Sequence, residues 1–414
     1  MLLPLIQRLF ALISLALLAL GGYLVWSWWR LYEMAEPGYD FDTQPWRLWA
    51  GGLLLALSFL GRTPVTALLA RKGDDAKRLD HPDGEVVETP NGARLHLHAE
   101  GPAEAPALIF VHGWGLDSSI WWEARRKLSR RYQVITYDLA GLGKSTQPRD
   151  GQYSLDRFAD DLLTVVGQAG RRKVILVGHS IGGMTVLTYC QRHRETLGRQ
   201  VAGIVLENTT PTDPTRTTVL GEALHAMQPV LRPLMKLDIL LQPLVWAMNW
   251  QSYLSGSTHV AMRFGGFGAR PTRAQLEQVA RLATRNPPAV QAKGNLAMMN
   301  WEGAHHLPDV RIPALVFFGG KDIVTVPHAG QAIAWELRDG RPHPLQDAGH
   351  LGPLELADDY NAAIEAFADQ VFTQGARWAD APVDAPVGAA EVVRLDPQSR
   401  TVRPFDAGDG SGVT

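Results

Sequence analysis

The sequence has one cysteine in 414 residues, Cys190. A single thiol excludes an intramolecular disulfide framework and any cysteine-based zinc site, and leaves a small buried hydrophobe as its expected role. Excess charge is lacking as well. Forty Lys and Arg stand against 42 Asp and Glu, a net of −2, so the whole-chain balance carries no nucleic-acid footprint. No internal repeat with a period of about 20–50 residues is visible. Charged residues make up only 20% and hydrophobic residues 46%, which excludes global disorder and leaves material for a sizeable core. At roughly 150 residues per domain, the length allows two or three units, or one large α/β domain with additions.

Charge is absent altogether from Leu9 to Trp29, LFALISLALLALGGYLVWSWW. As a helix this run spans about 31 Å, the thickness of a hydrocarbon core. Arg8 and Arg30 bracket it, and Trp26, Trp28 and Trp29 sit at one end like an interfacial belt. The run is too long for the apolar region of a cleavable signal peptide, and no small-x-small site follows it, so an uncleaved anchor is expected. A second uncharged stretch, Leu48 to Leu60, covers only about 20 Å. Extended to Ala70 it takes in Arg62 and Pro64, and reads either as a second span with Arg62 snorkelling or as an interfacial helix. The loop 30–47 holds Arg30 and Arg47 with Glu33, Glu36, Asp40 and Asp42, whereas Arg62, Arg71, Lys72, Lys77 and Arg78 follow the second stretch. The positive-inside rule then predicts an inner, cytoplasmic membrane location with the catalytic body on the cytoplasmic side.

Beyond this segment, short apolar runs alternate with helical patterns. Strands are predicted at Glu85–Glu88, Arg94–Ala99, Ala107–Val111, Gln133–Tyr137, Lys173–Val177, Gly203–Leu206, Ala314–Phe318 and Pro342–Gln346. Helices are predicted near 119–130, 155–169, 181–193 and 354–372. The middle strands are continuously apolar, as in a sheet covered on both faces. The predicted class is α/β, with a mostly parallel eight-stranded sheet, helices on both faces and an antiparallel entry. The interruption at about Thr210–His306 is too long for a loop and reads as an inserted helical cap. The organisation expected is a membrane-anchoring segment (1–72), a core in two parts (85–210 and 307–372), the cap (211–306) and a disordered tail (373–414) rich in Ala, Pro, Asp and Gly.

The strongest chemical signal is Gly178-His179-Ser180-Ile181-Gly182. It follows the apolar run Val174–Val177 and opens a helix, the context a G-x-S-x-G nucleophile elbow requires. Gly178 and Gly182 leave room for the tight turn, and the helix start beneath Ser180 favours developing negative charge. A serine hydroxyl needs a base, and the base needs an orienting carboxylate. Asp322 follows the strand Ala314–Phe318, and His350 sits on a Gly-preceded loop before the last helix. Asp347 stands only three residues before His350 and is poorly placed to orient it. Glu207 is a second candidate for the acid. Two oxyanion donors are also required: the amide of Ile181, and that of Trp114 in His112-Gly113-Trp114-Gly115, whose indole would also wall an acyl pocket.

Other histidines read as structural. His179 lies beside the nucleophile, His96 and His98 are expected to face solvent, and His305-His306 lacks a partner at metal-ligand spacing. No metal and no cofactor is expected.

Together these residues resemble the α/β-hydrolase superfamily over about Glu85–Asn208 and Arg311–Gln370. The resemblance rests on His112–Gly115, Tyr137–Ser145, the Ser180 elbow, Gly320-Lys321-Asp322 and Gly349-His350, in family order. The His-Gly-Trp-Gly form is similar to carboxylesterases acting on carrier-protein methyl esters, and the body to membrane-anchored monoacylglycerol-lipase-like hydrolases. Ser180 argues against the members with an Asp nucleophile, the epoxide hydrolases and haloalkane dehalogenases. The resemblance implies that the Asp138–Ser145 segment is structural; the segment also lacks the pattern of a phosphate loop.

Within the cap, Val219–Leu254 holds only four charges, Glu222, Arg232, Lys236 and Asp238, and places Trp246 and Trp250 on one helix face. Such apolar surface either buries an acyl chain or simply gives the cap a core. The expected function is a membrane-anchored serine hydrolase acting on a hydrophobic, lipid-like ester such as a monoacylglycerol or lysophospholipid. The expected partners are this small ester and membrane lipid, and no nucleic acid. Acyl transfer to an alcohol or peroxide would use the same triad, and a non-catalytic membrane scaffold is the alternative from another class. Oligomeric state is not legible.

Overall fold

The chain opens on a hairpin of apolar helices. The computed structural model describes residues 2–34, 44–73, 81–374, 393–395 and 402–404. Helix α1 (Leu2–Met34) is followed by α2 (Trp46–Leu60) and α3 (Arg62–Leu69). Small residues make the hairpin: Ala11, Ser14, Gly21 and Ser27 are the buried positions of α1. A Cβ on Gly51 would lie 2.8 Å from the Gly21 carbonyl oxygen, so glycine is what lets the two backbones approach. The leucines and tryptophans of α1 and α2 point outward instead, Trp49 being 74% exposed. That is the reverse of a water-facing amphipathic helix. The second apolar stretch is not one straight helix, since α2 and α3 meet at 71°. Arg62, at that corner, does not run along the helix but reaches the cap, bonding Tyr253 Oη at 2.5 Å and Glu277 at 3.3 Å.

The sheet contains β1 (Glu85–Glu88), β2 (Arg94–Glu100), β3 (Ala107–Val111), β4 (Gln133–Tyr137), β5 (Val174–His179), β6 (Val201–Glu207), β7 (Ala314–Gly319) and β8 (Gly340–Leu345). Their order is β1-β2-β4-β3-β5-β6-β7-β8. β2 pairs antiparallel with β1 and β4, and every other pair is parallel. This is the predicted α/β plan with its antiparallel entry. β3, β5 and β7 are buried along their whole length, as their unbroken apolar runs require when helices cover both faces. Helix α4 (Trp122–Leu128) packs on one face, and α5 (Leu155–Gln168) and α6 (Ile181–Arg192) on the other.

Six helices stand between β6 and β7: α7 (Gly221–Ala226), α8 (Gln228–Leu240), α9 (Gln242–Ser255), α10 (Ser257–Gly266), α11 (Arg273–Arg285) and α12 (Pro288–Met298). They form the inserted unit over the carboxyl ends of the strands. The start of α1 is tied to it: Arg8 pairs with Asp238, and Ser14 bonds Ser255 at 2.7 Å. After β7 come α13 (Pro327–Glu336), α14 (Gly352–Glu355) and α15 (Ala357–Gln374). The alanine-rich α13 was not predicted, because a helix buried on small side chains shows little periodicity. Of the expected tail, all but the end of α15 and two short paired strands, β9 (Val393–Leu395) and β10 (Val402–Pro404), lies outside the described residues.

His96 corrects an expectation. It does not face solvent; it is 5% exposed, its ring tilted against that of His81 with centroids 4.8 Å apart, and 3.6 Å from Asp138. Residues 81–84, just before β1, cover that end of β2, which the alternation along β2 could not reveal.

Candidate active site

The turn from β5 into α6 places Ser180 in a conformation that few residues accept, with φ 54° and ψ −118°. Such a backbone costs on the order of 1–3 kcal/mol and survives only where its surroundings hold it. The flanking glycines allow the turn. A Cβ on Gly178 would sit 2.4 Å from the Gly182 carbonyl oxygen, and one on Gly182 would sit 2.1 Å from that of Val111. Thr209 Oγ1 donates to the Ser180 carbonyl at 2.7 Å, pinning the turn from the β6 side.

Ser180, Asp322 and His350 meet at the carboxyl ends of β5 and β7. His350 Nε2 lies 3.1 Å from Ser180 Oγ, and Nδ1 lies 2.9 Å from Asp322 Oδ2. An ionised carboxylate only accepts, so Nδ1 carries the proton and Nε2 presents a lone pair to the hydroxyl. Asp322 is held from four other directions. Oδ1 accepts the amides of Val324 and Thr325 at 2.8 and 2.9 Å, and Oδ2 accepts Thr325 Oγ1 and Asn208 Nδ2 at 2.8 and 3.1 Å. Burial alone would raise its carboxyl; the His350 imidazole and these donors hold it below the usual carboxylate range.

Two further expected residues flank the serine. Ile181 is the first residue of α6, a position whose N–H has no carbonyl four residues back. Trp114 lies on the loop after β3, whose end is registered against Gly178. Ser180, His350 and Trp114 line one cavity of about 390 Å³.

The family model described as "alpha/beta hydrolase fold" matches residues 106–229, the stretch that carries the elbow. A solved esterase from Exiguobacterium antarcticum is similar at a TM-score of 0.57 and 19% identity, covering 69% of this chain and 99% of its own. The chain has the α/β-hydrolase fold. Among curated relatives, a non-heme chloroperoxidase of Burkholderia pyrrocinia is 27% identical over 68% of this chain and 98% of its own length. A bifunctional esterase/perhydrolase of Acinetobacter calcoaceticus is 38% identical, but over only 26% of this chain and 39% of its own. A structure titled a membrane phospholipase A matches at a TM-score of 0.56 and 20% identity, over 78% of this chain and 95% of that one.

Several residues that support the site were not predicted. Asn208, with φ 47°, bonds both Asp322 and the Gly349 carbonyl, and receives Tyr360 Oη at 2.6 Å. Glu355 accepts the amides of Gly349, Gly268 and Ala269 at 3.0 Å, fixing the His350 loop against the cap. His179 is fully buried, its basicity pushed down to about 3 by burial, and Nε2 donates to the His350 carbonyl at 2.8 Å. An Asn one residue past a strand, or a Glu five residues past the histidine, has no local signature.

The rival acids fall elsewhere. Asp347 pairs on the surface with Lys321 at 2.7 Å. Glu207 is fully buried, and neither carboxylate oxygen has a hydrogen-bond partner among the described residues. Burial pushes its carboxyl up to about 8 from an ordinary 4.5, so it is neutral at pH 7. Because the folded state binds this proton more tightly, the associated stability is complete below about pH 4.5 and is lost as pH rises through 8. Glu207→Gln is therefore expected to match wild type in urea unfolding near pH 4.5. It should become more stable by on the order of 3–5 kcal/mol at pH 8. A gap independent of pH would refute the neutral carboxyl.

Asp138 organises the turn after β4. Its carboxylate accepts the amides of Ser118 and Lys144 at 2.8 Å and bonds His81 Nε2 at 2.8 Å. Burial opposes the charged forms, but the pairing keeps Asp138 well below, and His81 above, their ordinary values. His81, His96 and Asp138 are the described residues that could hold a metal ion, with ligand atoms within 4.8 Å of one another. His306 bonds Gln191 instead, and Cys190 is buried with its thiol pushed up to about 12.

The cap tryptophans do not line the cavity. Trp246 donates to the Thr284 carbonyl at 3.0 Å, and Trp250 packs on Tyr253. Val245 and Asn249 of the same helix line it instead.

Proposed function

We propose that this α/β-hydrolase is a membrane-anchored serine hydrolase that cleaves a hydrophobic carboxylic ester, such as a monoacylglycerol or lysophospholipid, through an acyl-enzyme. The observation that carries the reading is the Ser180–His350–Asp322 line, with bonds of 3.1 and 2.9 Å, opening into a cavity walled mostly by apolar side chains.

Ser180 Oγ attacks the ester carbonyl while His350 Nε2 takes its proton. The carbonyl π electrons move onto oxygen, which the amides of Trp114 and Ile181 stabilise. The C–O bond to the alcohol then breaks, and His350 returns the proton to the leaving oxygen. Water, deprotonated by the same nitrogen, attacks the acyl-serine and regenerates the hydroxyl as the free acid departs. Asp322 fixes the imidazole tautomer and stabilises the imidazolium in both halves.

The membrane reading draws on three features. α1 has a mean hydropathy of 2.2 over its most apolar window, and only 17% of that window is buried. Both ends of the hairpin return to the catalytic body, which fits two crossings and a cytoplasmic body under the positive-inside rule. The α8–α9 corner exposes Leu237, Leu240, Leu241 and Leu244, Leu240 at 76%, extending the apolar surface beside α1.

A fluorophosphonate probe tests the nucleophile. Wild type should label stoichiometrically and Ser180→Ala should not; equal labelling of both would remove Ser180 from the mechanism. Comparing lipid extracts incubated with each protein should show one ester class consumed by wild type only. The similarity to an esterase/perhydrolase favours peroxide as the one acyl acceptor to set beside water. Peracid formation in the presence of peroxide would decide for it.

A further inference from the structure

The N-terminal helix is longer than anchoring requires. Its 33 residues make a rod of about 50 Å, whereas a hydrocarbon core takes about 30 Å. The excess lies at its start, against the cap. Leu3, Pro4, Leu5, Gln7, Arg8 and Leu12 line the same cavity as Ser180 and His350. Leu231, Leu234 and Met235 of α8 line it too. Leu5 packs against the small apolar cluster of the cap that includes Leu231, Met235 and Ala292, and the Leu3 side chain lies against Gly265 of α10 so closely that a Cβ there would clash.

One ion pair closes the wall. Arg8 on α1 bonds Asp238 on α8, and both side chains are about 30% exposed at the cavity's edge. Burial raises the Asp238 carboxyl while the Arg8 guanidinium opposes it. An arginine at this position is costly in a span but well used where it joins two helices over a cavity.

We propose that the first three turns of α1 are the outer wall of the acyl-chain subsite, so that one helix both anchors the protein and sets the length of the linear acyl chain it accepts. The inference rests on the serine-esterase reading above and adds a specificity determinant to it. Chain selection follows from volume. Leu3, Leu5 and Leu12 of α1 are in contact with the space, so enlarging one removes room for methylenes and shrinking one adds it. A methylene lost from or gained by an apolar pocket changes discrimination about tenfold or more.

The test uses the full-length chain in detergent with p-nitrophenyl esters of four to sixteen carbons. Leu5→Trp is expected to raise the butyrate-to-palmitate ratio of kcat/KM at least about tenfold, and Leu5→Ala to shift it the opposite way. Leu20→Trp, on the same helix beyond the cavity, should keep the wild-type ratio. If Leu5→Trp fails to fold, Leu5→Ala decides alone. Wild-type ratios in folded, fluorophosphonate-labelled Leu5 variants would overturn the proposal while leaving the esterase reading intact. A wild type that neither labels nor turns over any ester would overturn both.

Discussion

His350→Ala is expected to lower kcat/KM for any ester substrate by about 10⁴–10⁶-fold, nearly all of it in kcat. The size follows from geometry. Nε2 at 3.1 Å is the group positioned to take the Ser180 proton, and without it the hydroxyl meets the carbonyl as a neutral alcohol. KM should change little, because the imidazole contributes to bond making rather than to the apolar walls. Asp322→Asn should cost about 10⁴-fold by a different route. An amide in that place can donate toward Nδ1, which favours the tautomer whose Nε2 already carries a proton. Asp347→Ala is the control, since that carboxylate pairs with Lys321 at the surface, and its kcat/KM should equal that of wild type. Steady-state kinetics with a chromogenic ester checks all three. A His350→Ala enzyme within tenfold of wild type would remove the imidazole from the chemistry.

Gly182→Ala is expected to destabilise the fold by about 3 kcal/mol or more, a large share of the 5–15 kcal/mol typical of a domain. The added methyl would stand 2.1 Å from the Val111 carbonyl oxygen and 3.1 Å from that of His112. Both are backbone atoms at the buried carboxyl end of β3, so neither can swing away as a side-chain tip would. Relief requires α6 to move off β3, which carries Ser180 and the Ile181 amide with it. Whatever fraction stays folded should therefore also lose activity. Gly170→Ala is the contrast. That glycine has φ +62° but nothing within 4 Å of its would-be Cβ, so it should cost only about 1 kcal/mol, the penalty of the backbone angle. Urea midpoints in detergent compare the two, and equal shifts would contradict the steric account.

The parts of the site legible in the sequence share one property: each is announced by its immediate neighbours. Ser180 has a strand before it, a helix after it and glycines at both flanks. Asp322 and His350 each follow a predicted strand end on a glycine-containing turn. Residues acting from a distance gave no such notice. Asn208 and Glu355 hold Asp322 and the His350 loop through side-chain bonds formed only when β6, the cap and α14 converge. The cap tryptophans show the opposite case, a conspicuous pattern that does not line the cavity, with Trp250 left 41% exposed.

The sequence by itself determined the class of fold, the order of its elements, the elbow and an apolar N-terminus, because periodicity, turn residues and hydropathy are local properties of a chain. Only the tertiary structure decided that Asp322 rather than Glu207 faces the imidazole, that His96 is buried, and that α1 and α2 pack as a hairpin whose first turns wall the cavity. Those outcomes depend on which surfaces meet in three dimensions, and burial, ion pairing and cavity shape come into being only at such meetings.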